Sequence, residues 1–307
     1  MVAASATSPL TVLGSSSLTA YWRFQRAVVA AQLQAWLPPR GRILVDISGP
    51  RSSVASQAAA AGYAVLQVMP RLPAPERPAV ERAAGPQMRR TPAARGVHGR
   101  RVSPGRLVRV VADSANLAFL ADGSVDGVIA DDGALSRHLM AEDVAAEIAR
   151  VLRPGGQLLA SVDSLVLGMS ILAEQHHWAE LTDLPQAEVV LVPWPDGRIT
   201  RCFGPEQLVD LLTEAGLEVS WIRPRTVLSP SMVDHVLRRD PSAIMRLVRA
   251  ELAAGAEDAG PAGAGNGTGH GGNESFGIYL LAAARKPAGR PSLSGADGPA
   301  ATPAAAG

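Results

Sequence analysis

Aspartates close two successive apolar runs of this 307-residue chain, Asp113 one run and Asp131-Asp132 the next. A carboxylate only accepts hydrogen bonds, so acids at this spacing suit a site that grips hydroxyl and amino groups. Histidine is the side chain suited to proton transfer near neutrality. His138 follows the second acid pair by about one helical turn, and His176-His177 stand as an adjacent pair further on. These three are the candidate bases or acceptor contacts, and a hydrogen-bonded or solvated helix histidine is the plainer alternative for each. Cys202 is the single cysteine. It has no disulfide partner and no zinc spacing, and reads as a small core residue. No His/Cys/Asp/Glu spacing suggests a metal site, so none is expected.

Strands alternating with helices must position these groups. The periodicity predicts a helix over 18–37 stopped by Pro38-Pro39, with Trp22, Ala30, Leu33 and Trp36-Leu37 on one face. A strand over 42–47, a helix over 52–61 ended by Gly62 and a strand over 64–68 follow. The run 108–163 then carries a strand into Asp113, a turn at Asp122-Gly123-Ser124, a strand over 127–130, a helix, a turn at Arg153-Pro154-Gly155-Gly156 and a strand from Gln157. Beyond it come a helix over 165–178, a short strand or extended lid at 188–192, and a turn at 193–197. Next are a helix opened by Pro205, a strand over 217–222, a helix over 229–252 broken near Asp240-Pro241, and a last strand over 276–284. Such alternation implies parallel βαβ units, whose ligands sit beyond the carboxyl ends of the strands.

Three stretches within 108–163 carry a family likeness. Asp113 with Ser114-Ala115-Asn116-Leu117-Ala118-Phe119, the turn Asp122-Gly123-Ser124-Val125-Asp126-Gly127-Val128-Ile129, and Glu147-Ile148-Ala149-Arg150-Val151-Leu152-Arg153-Pro154-Gly155-Gly156 occur in order. Together they resemble the class I S-adenosylmethionine-dependent methyltransferases, in particular the type 11 group, and the likeness extends more weakly over 18–286. It implies an α/β fold: a Rossmann-like three-layer sandwich around a mostly parallel seven-stranded sheet, order 3-2-1-4-5-7-6, with an antiparallel last strand. It also implies S-adenosyl-L-methionine as cofactor.

By that resemblance, Asp46 is the acid that organises the first loop and the amino end of the cofactor. The family's glycine positions hold Ser48, Pro50 and Ser52 here, with Gly49 between, so the glycine loop is degenerate. The residue expected to bind the ribose hydroxyls is an acid in the family and Met69 here, with Gln67 two residues earlier on the same strand face. A thioether cannot replace a carboxylate's two acceptors. Asp113 and Ser114 match the adenine-binding pair. Asp131 and Asp132 match the segment that runs under the cofactor towards the acceptor. On the acceptor side, Tyr21, Trp22, Phe24 and Trp36 of the first helix either lid the substrate or pack that helix on the sheet, and His176, His177 and Trp178 lie in a variable segment. Tyr21, Trp22, His176, His177 and Trp178 are the candidate substrate contacts, and His138 is the candidate base.

Composition bounds the rest. The formal charge of +1 gives no global attraction to nucleic acid, and no nucleic-acid partner is expected. All but one of the 29 basic side chains are arginine, Lys286 being the exception. No apolar run approaches the roughly 20 residues that span a bilayer, and no signal peptide is evident, so a cytoplasmic protein without a membrane partner is expected. Residues 1–17 read as a loose arm, 18–286 as one methyltransferase-like domain, and 287–307 as a disordered tail. Within the domain, 253–273 is a Gly/Ala linker. Residues 70–106 form a Pro/Arg-rich insertion with a short helical turn near 78–84. That insertion is either a solvated loop or a surface for phosphate or an acidic partner. Two functions stand. One is methyl transfer to a small-molecule acceptor; the other is a methyltransferase-fold protein without catalysis, acting as a binding or regulatory partner. The oligomeric state and the acceptor atom are not legible.

Overall fold

Uninterrupted apolar strands belong in the middle of a sheet covered on both faces. In the computed structural model, β1 (Ile43–Asp46) and β4 (Val125–Ala130) hold that place, and every residue of β4 is buried. The structure describes residues 15–37, 43–50, 52–70, 105–184, 187–257 and 277–288. The expected arm up to residue 14, most of the arginine-rich insertion with its helical turn near 78–84, residues 258–273 of the linker, the start of the last expected strand and the tail from 289 lie outside the described residues.

The main sheet also contains β2 (Ala64–Met69), β3 (Leu107–Val111), β5 (Leu152–Asp163), β8 (Glu218–Arg225) and β9 (Tyr279–Arg285), in the order β3-β2-β1-β4-β5-β9-β8. The pairs from β3 to β5 are parallel, and β9 is antiparallel to both of its neighbours. This is the expected seven-stranded arrangement. Alternate residues feed the two faces. Val45, Val128 and Leu158 pack under α3 (Ala141–Val151) and α6 (Pro205–Glu214). Leu44, Ile129 and Leu159 pack under α1 (Ser15–Trp36) and α2 (Val54–Ala60).

Several boundaries differ from expectation. Arg153–Gly156 is not a separate turn but the start of β5: Gly155 takes φ +77°, and the strand exchanges backbone bonds with Lys286. The Lys286 ammonium donates to Ala149 O (2.6 Å) and Leu152 O (2.9 Å), so the only lysine caps the end of α3. The helix expected over 165–178 breaks into α4 (Leu165–Glu174) and α5 (Trp178–Asp183), with His176 at φ +60° between them. The 188–192 segment becomes β6 (Val190–Pro193), which pairs antiparallel with β7 (Ile199–Cys202) in a hairpin of its own. That hairpin shares a small core with α4, where Cys202 is buried. The broken helix is α7 (Pro230–Arg239), a 3₁₀ turn and α8 (Ile244–Glu257), so the first five residues of the supposed 253–273 linker are helical.

The buried face of α1 also needs correction. Trp22 is 51% exposed, while Tyr21, Phe24 and Val28 are buried against α7 and α8, and Leu33 and Trp36 against the sheet. One helix serves two partners, which turns its apolar stripe part-way along. Among the described residues no helix is long and apolar enough to cross a membrane, and no group of three or more His, Cys, Asp or Glu is placed to hold a metal ion.

Candidate active site

The site begins where β1 stops. Asp46 is fully buried and turns its carboxylate back into the loop. It accepts from the Ser48 N–H (3.0 Å) and from Gln67 Nε2 (3.1 Å). Gln67 also donates to Gly49 O (3.3 Å), and its amide oxygen accepts from Arg109 Nε (3.0 Å). Burial pushes the Asp46 pKa up to about 6, against the Ser48 bonds, with the Asp131 charge adding to the rise and Gln67 opposing it. The Ser48 hydroxyl accepts from the Asp131 N–H (2.8 Å), stitching the β1 loop to the β4 loop. Gly49 sits at φ +92°, a conformation open to glycine and few others. This one glycine makes the turn between Ser48 and Pro50.

A cleft of about 720 Å³ opens beyond β1, β2, β3 and β4. Val68, Val111 and Ala112 supply apolar wall, Asp113 and Ser114 border it on the β3 side, and Ser48, Gly49, Pro50 and Asp132 border it on the β1–β4 side. Arg137 and His138 complete the wall. His138 Nε2 lies 2.9 Å from Ser114 Oγ, across the cleft from the β4 loop to the β3 loop. Burial holds the His138 pKa below its ordinary value; the Asp113 charge partly opposes this, and Arg137 lowers it further. Arg137 ties the same loop to the β1 side: its guanidinium donates to Ser48 O (2.8 Å) and to Asp132 O.

A second hollow of about 190 Å³ adjoins the first. Trp22, Gln25, Arg26 and Val29, at helical spacing on α1, form one wall; Ser161, Arg225 and Tyr279 face them. Asp131 lies at its floor, buried, with Arg225 Nη1 at 2.5 Å and the Ser161 hydroxyl donating at 2.9 Å. Burial alone would raise the Asp131 pKa, but the Arg225 charge and these bonds hold it below the usual carboxylate range. Asp132 borders both hollows. It takes φ +55°, a left-handed turn that brings the backbone around between them.

Of the residues expected at the cofactor, Ser48, Gly49, Pro50, Asp113, Ser114 and Asp132 share the cleft. Asp46 supports it from behind. Asp131 belongs to the second hollow, so the strand-end acids do not all face one space. Met69 stands with Gln67 and Arg109 in a smaller neighbouring hollow of about 200 Å³. Of the acceptor candidates, Trp22 reaches the second hollow, while the neighbouring Tyr21 is buried and accepts from Gln25 Nε2 (2.9 Å). His176, His177 and Trp178, at the α4–α5 break, line neither hollow.

Sequence reasoning missed Arg137, Arg225 and Asp163. Asp163 ends β5 and had the same strand-end signal as Asp131. It is buried, and burial pushes its pKa up to about 6 despite a bond to Thr200 and the Arg137 charge. Arg137 could have been read from its place beside His138. Nothing local marks Arg225, 94 residues from Asp131.

The cleft fits a nucleoside with an amino-acid tail: apolar wall for a flat ring, acceptors at Asp113 and Ser114, and opposite charges at Arg137 and Asp132. Residues 87–160 match the family model described as a methyltransferase domain. No curated protein sequence matches the chain. A Listeria monocytogenes structure assigned to the S-adenosylmethionine-dependent methyltransferases aligns with TM-score 0.51 at 12% identity, over 86% of this chain and 99% of that one. The 1,6-didemethyltoxoflavin-N1-methyltransferase of Burkholderia thailandensis, with bound 1,6-didemethyltoxoflavin and S-adenosylhomocysteine, aligns with TM-score 0.46 at 16% identity, over 87% and 81%. A Methanosarcina mazei structure of the S-adenosylmethionine-dependent methyltransferases aligns with TM-score 0.45 at 15% identity, over 83% and 97%.

Proposed function

We propose that the chain is a class I S-adenosylmethionine-dependent methyltransferase that methylates a small-molecule acceptor held in the hollow beneath α1; the match of residues 87–160 to a methyltransferase-domain model supports this. One observation carries this reading: Asp132 is common to the large cleft and to the small hollow, so occupants of the two meet there. When bound, S-adenosylmethionine supplies an activated methyl group on a sulfonium that leaves readily. The protein's task is therefore mostly alignment. Val68, Val111 and Ala112 flank a ring, Asp113 accepts from an amino group, and the rigid β1 loop fixes the floor. Trp22 stands half exposed over the second hollow and offers a flat apolar face to an acceptor, with the Arg26 guanidinium one residue-face away on the same helix. His138, bound to Ser114, serves in this reading as cleft wall.

Titration calorimetry with S-adenosylmethionine and S-adenosylhomocysteine tests the reading. The expected result is micromolar binding that Asp113→Ala weakens about tenfold or more, the cost of one hydrogen bond to a charged group. Absence of binding at millimolar nucleoside would instead leave a methyltransferase fold used for binding or regulation.

A further inference from the structure

The β1 loop has few donors left for an anion. The Ser48 N–H is taken by Asp46, the Ile47 N–H by Ile129 O, and Pro50 has none. On the neighbouring loop the Asp131 N–H is taken by Ser48 Oγ. That leaves the Gly49 N–H among the described donors of the β1 loop, and a full counter-charge for a ligand carboxylate here comes from a side chain.

Among the described residues, Arg137 is the permanent cation on the cleft wall. Its head lies over the β1 loop, 3.6 Å from where a Cβ on Gly49 would stand, an ordinary contact distance. The guanidinium has five N–H donors in a fixed fork. It donates to the neutral carbonyls of Ser48 and Asp132, and it stands 3.8 Å from the Asp132 carboxylate. A carboxylate is a stronger acceptor than either carbonyl and can take two parallel bonds from the fork. Arg137 and Asp132 together present one positive and one negative group side by side, the complement of an amino-acid head group.

We propose that Arg137 binds the α-carboxylate of the cofactor, with Asp132 beside it for the ammonium, and so makes up for backbone N–H groups of this loop that are already bonded or, at Pro50, missing. This rests on the cofactor reading above, and the test separates the two. Calorimetry would compare S-adenosylhomocysteine with 5′-methylthioadenosine, which keeps the nucleoside and sulfur but has no amino-acid tail. Arg137→Gln is expected to weaken S-adenosylhomocysteine about tenfold or more while leaving 5′-methylthioadenosine unchanged. Arg137→Lys should recover part of the loss, since a lysine keeps the charge without the fork. An Arg137→Gln protein that loses both ligands equally would show a loop-supporting role and overturn the proposal, as would one that binds both as the wild type does. A wild type that binds neither nucleoside would remove the cofactor reading and this assignment together.

Discussion

Asp46 and Asp131 are buried carboxylates on adjoining loops with opposite protonation preferences. Asp131 has a buried guanidinium against it; Asp46 has neutral donors and burial. The consequence for stability has opposite signs. Asp46, raised to about 6 in the folded chain, contributes stability that is full below the ordinary carboxylate range and is lost as pH rises through about 6. Asp163 behaves the same way. Asp131, held low, contributes stability above that range and loses it on acidification. Asp46→Asn removes one titrating group while its amide oxygen still accepts from Ser48. Between about pH 5 and pH 7 the stability of the wild type should therefore fall by about 1 kcal/mol more than that of Asp46→Asn. Urea unfolding across this range measures it, and parallel curves for the two proteins would refute it.

At the scale of elements, the stretch 108–163 was legible because its chemistry is local. Glu147 and Arg150 of α3 hold the loop after β3. Glu147 accepts from the Leu117 N–H (2.9 Å), and Arg150 donates to Leu117 O (3.0 Å), Leu120 O (2.9 Å) and Asp122 (2.6 Å). The motif positions the β3-side wall of the cleft by bonds within itself. Gly127 of the same motif has a different cause. A Cβ there would lie 2.8 Å from Leu44 Cδ2 and 3.2 Å from the Trp36 ring, which donates its N–H to Leu158 O (3.2 Å). Gly127→Ala should therefore destabilise the protein by about 1–3 kcal/mol through overpacking under α1; a thermal melt equal to wild type would contradict this. What sequence did not disclose depends on partners far along the chain. The exposed Trp22 follows from α1 turning between the sheet and α7–α8. The β6–β7 hairpin follows from a small core shared with α4. The early start of β5 follows from pairing with Lys286.

Across the whole molecule, Arg225 joins the end of β8 to the end of β4. Its guanidinium also donates to Gln32 Oε1 (2.7 Å) of α1, so three elements converge behind the second hollow. Arg225→Met would leave Asp131 charged and unpaired inside the protein. Losing one partner of a buried pair costs about 3–5 kcal/mol, and Asp131→Asn in the same chain should recover much of it. Denaturant midpoints for the single and double variants provide the check, and a double variant no more stable than Arg225→Met would count against a pairing role.

The position of β9 sets the order of assembly. It is the last in sequence of the described strands, yet it separates β5 from β8 and bonds to both. While the ribosome is still translating the segment before Tyr279, β8 has no neighbour in the sheet and β5 presents an open edge. An unpaired edge invites association with other chains. The half of the protein that carries Arg225 can close only once Tyr279–Arg285 has been made, and until then the nascent chain bears a bare strand edge that a chaperone would shield.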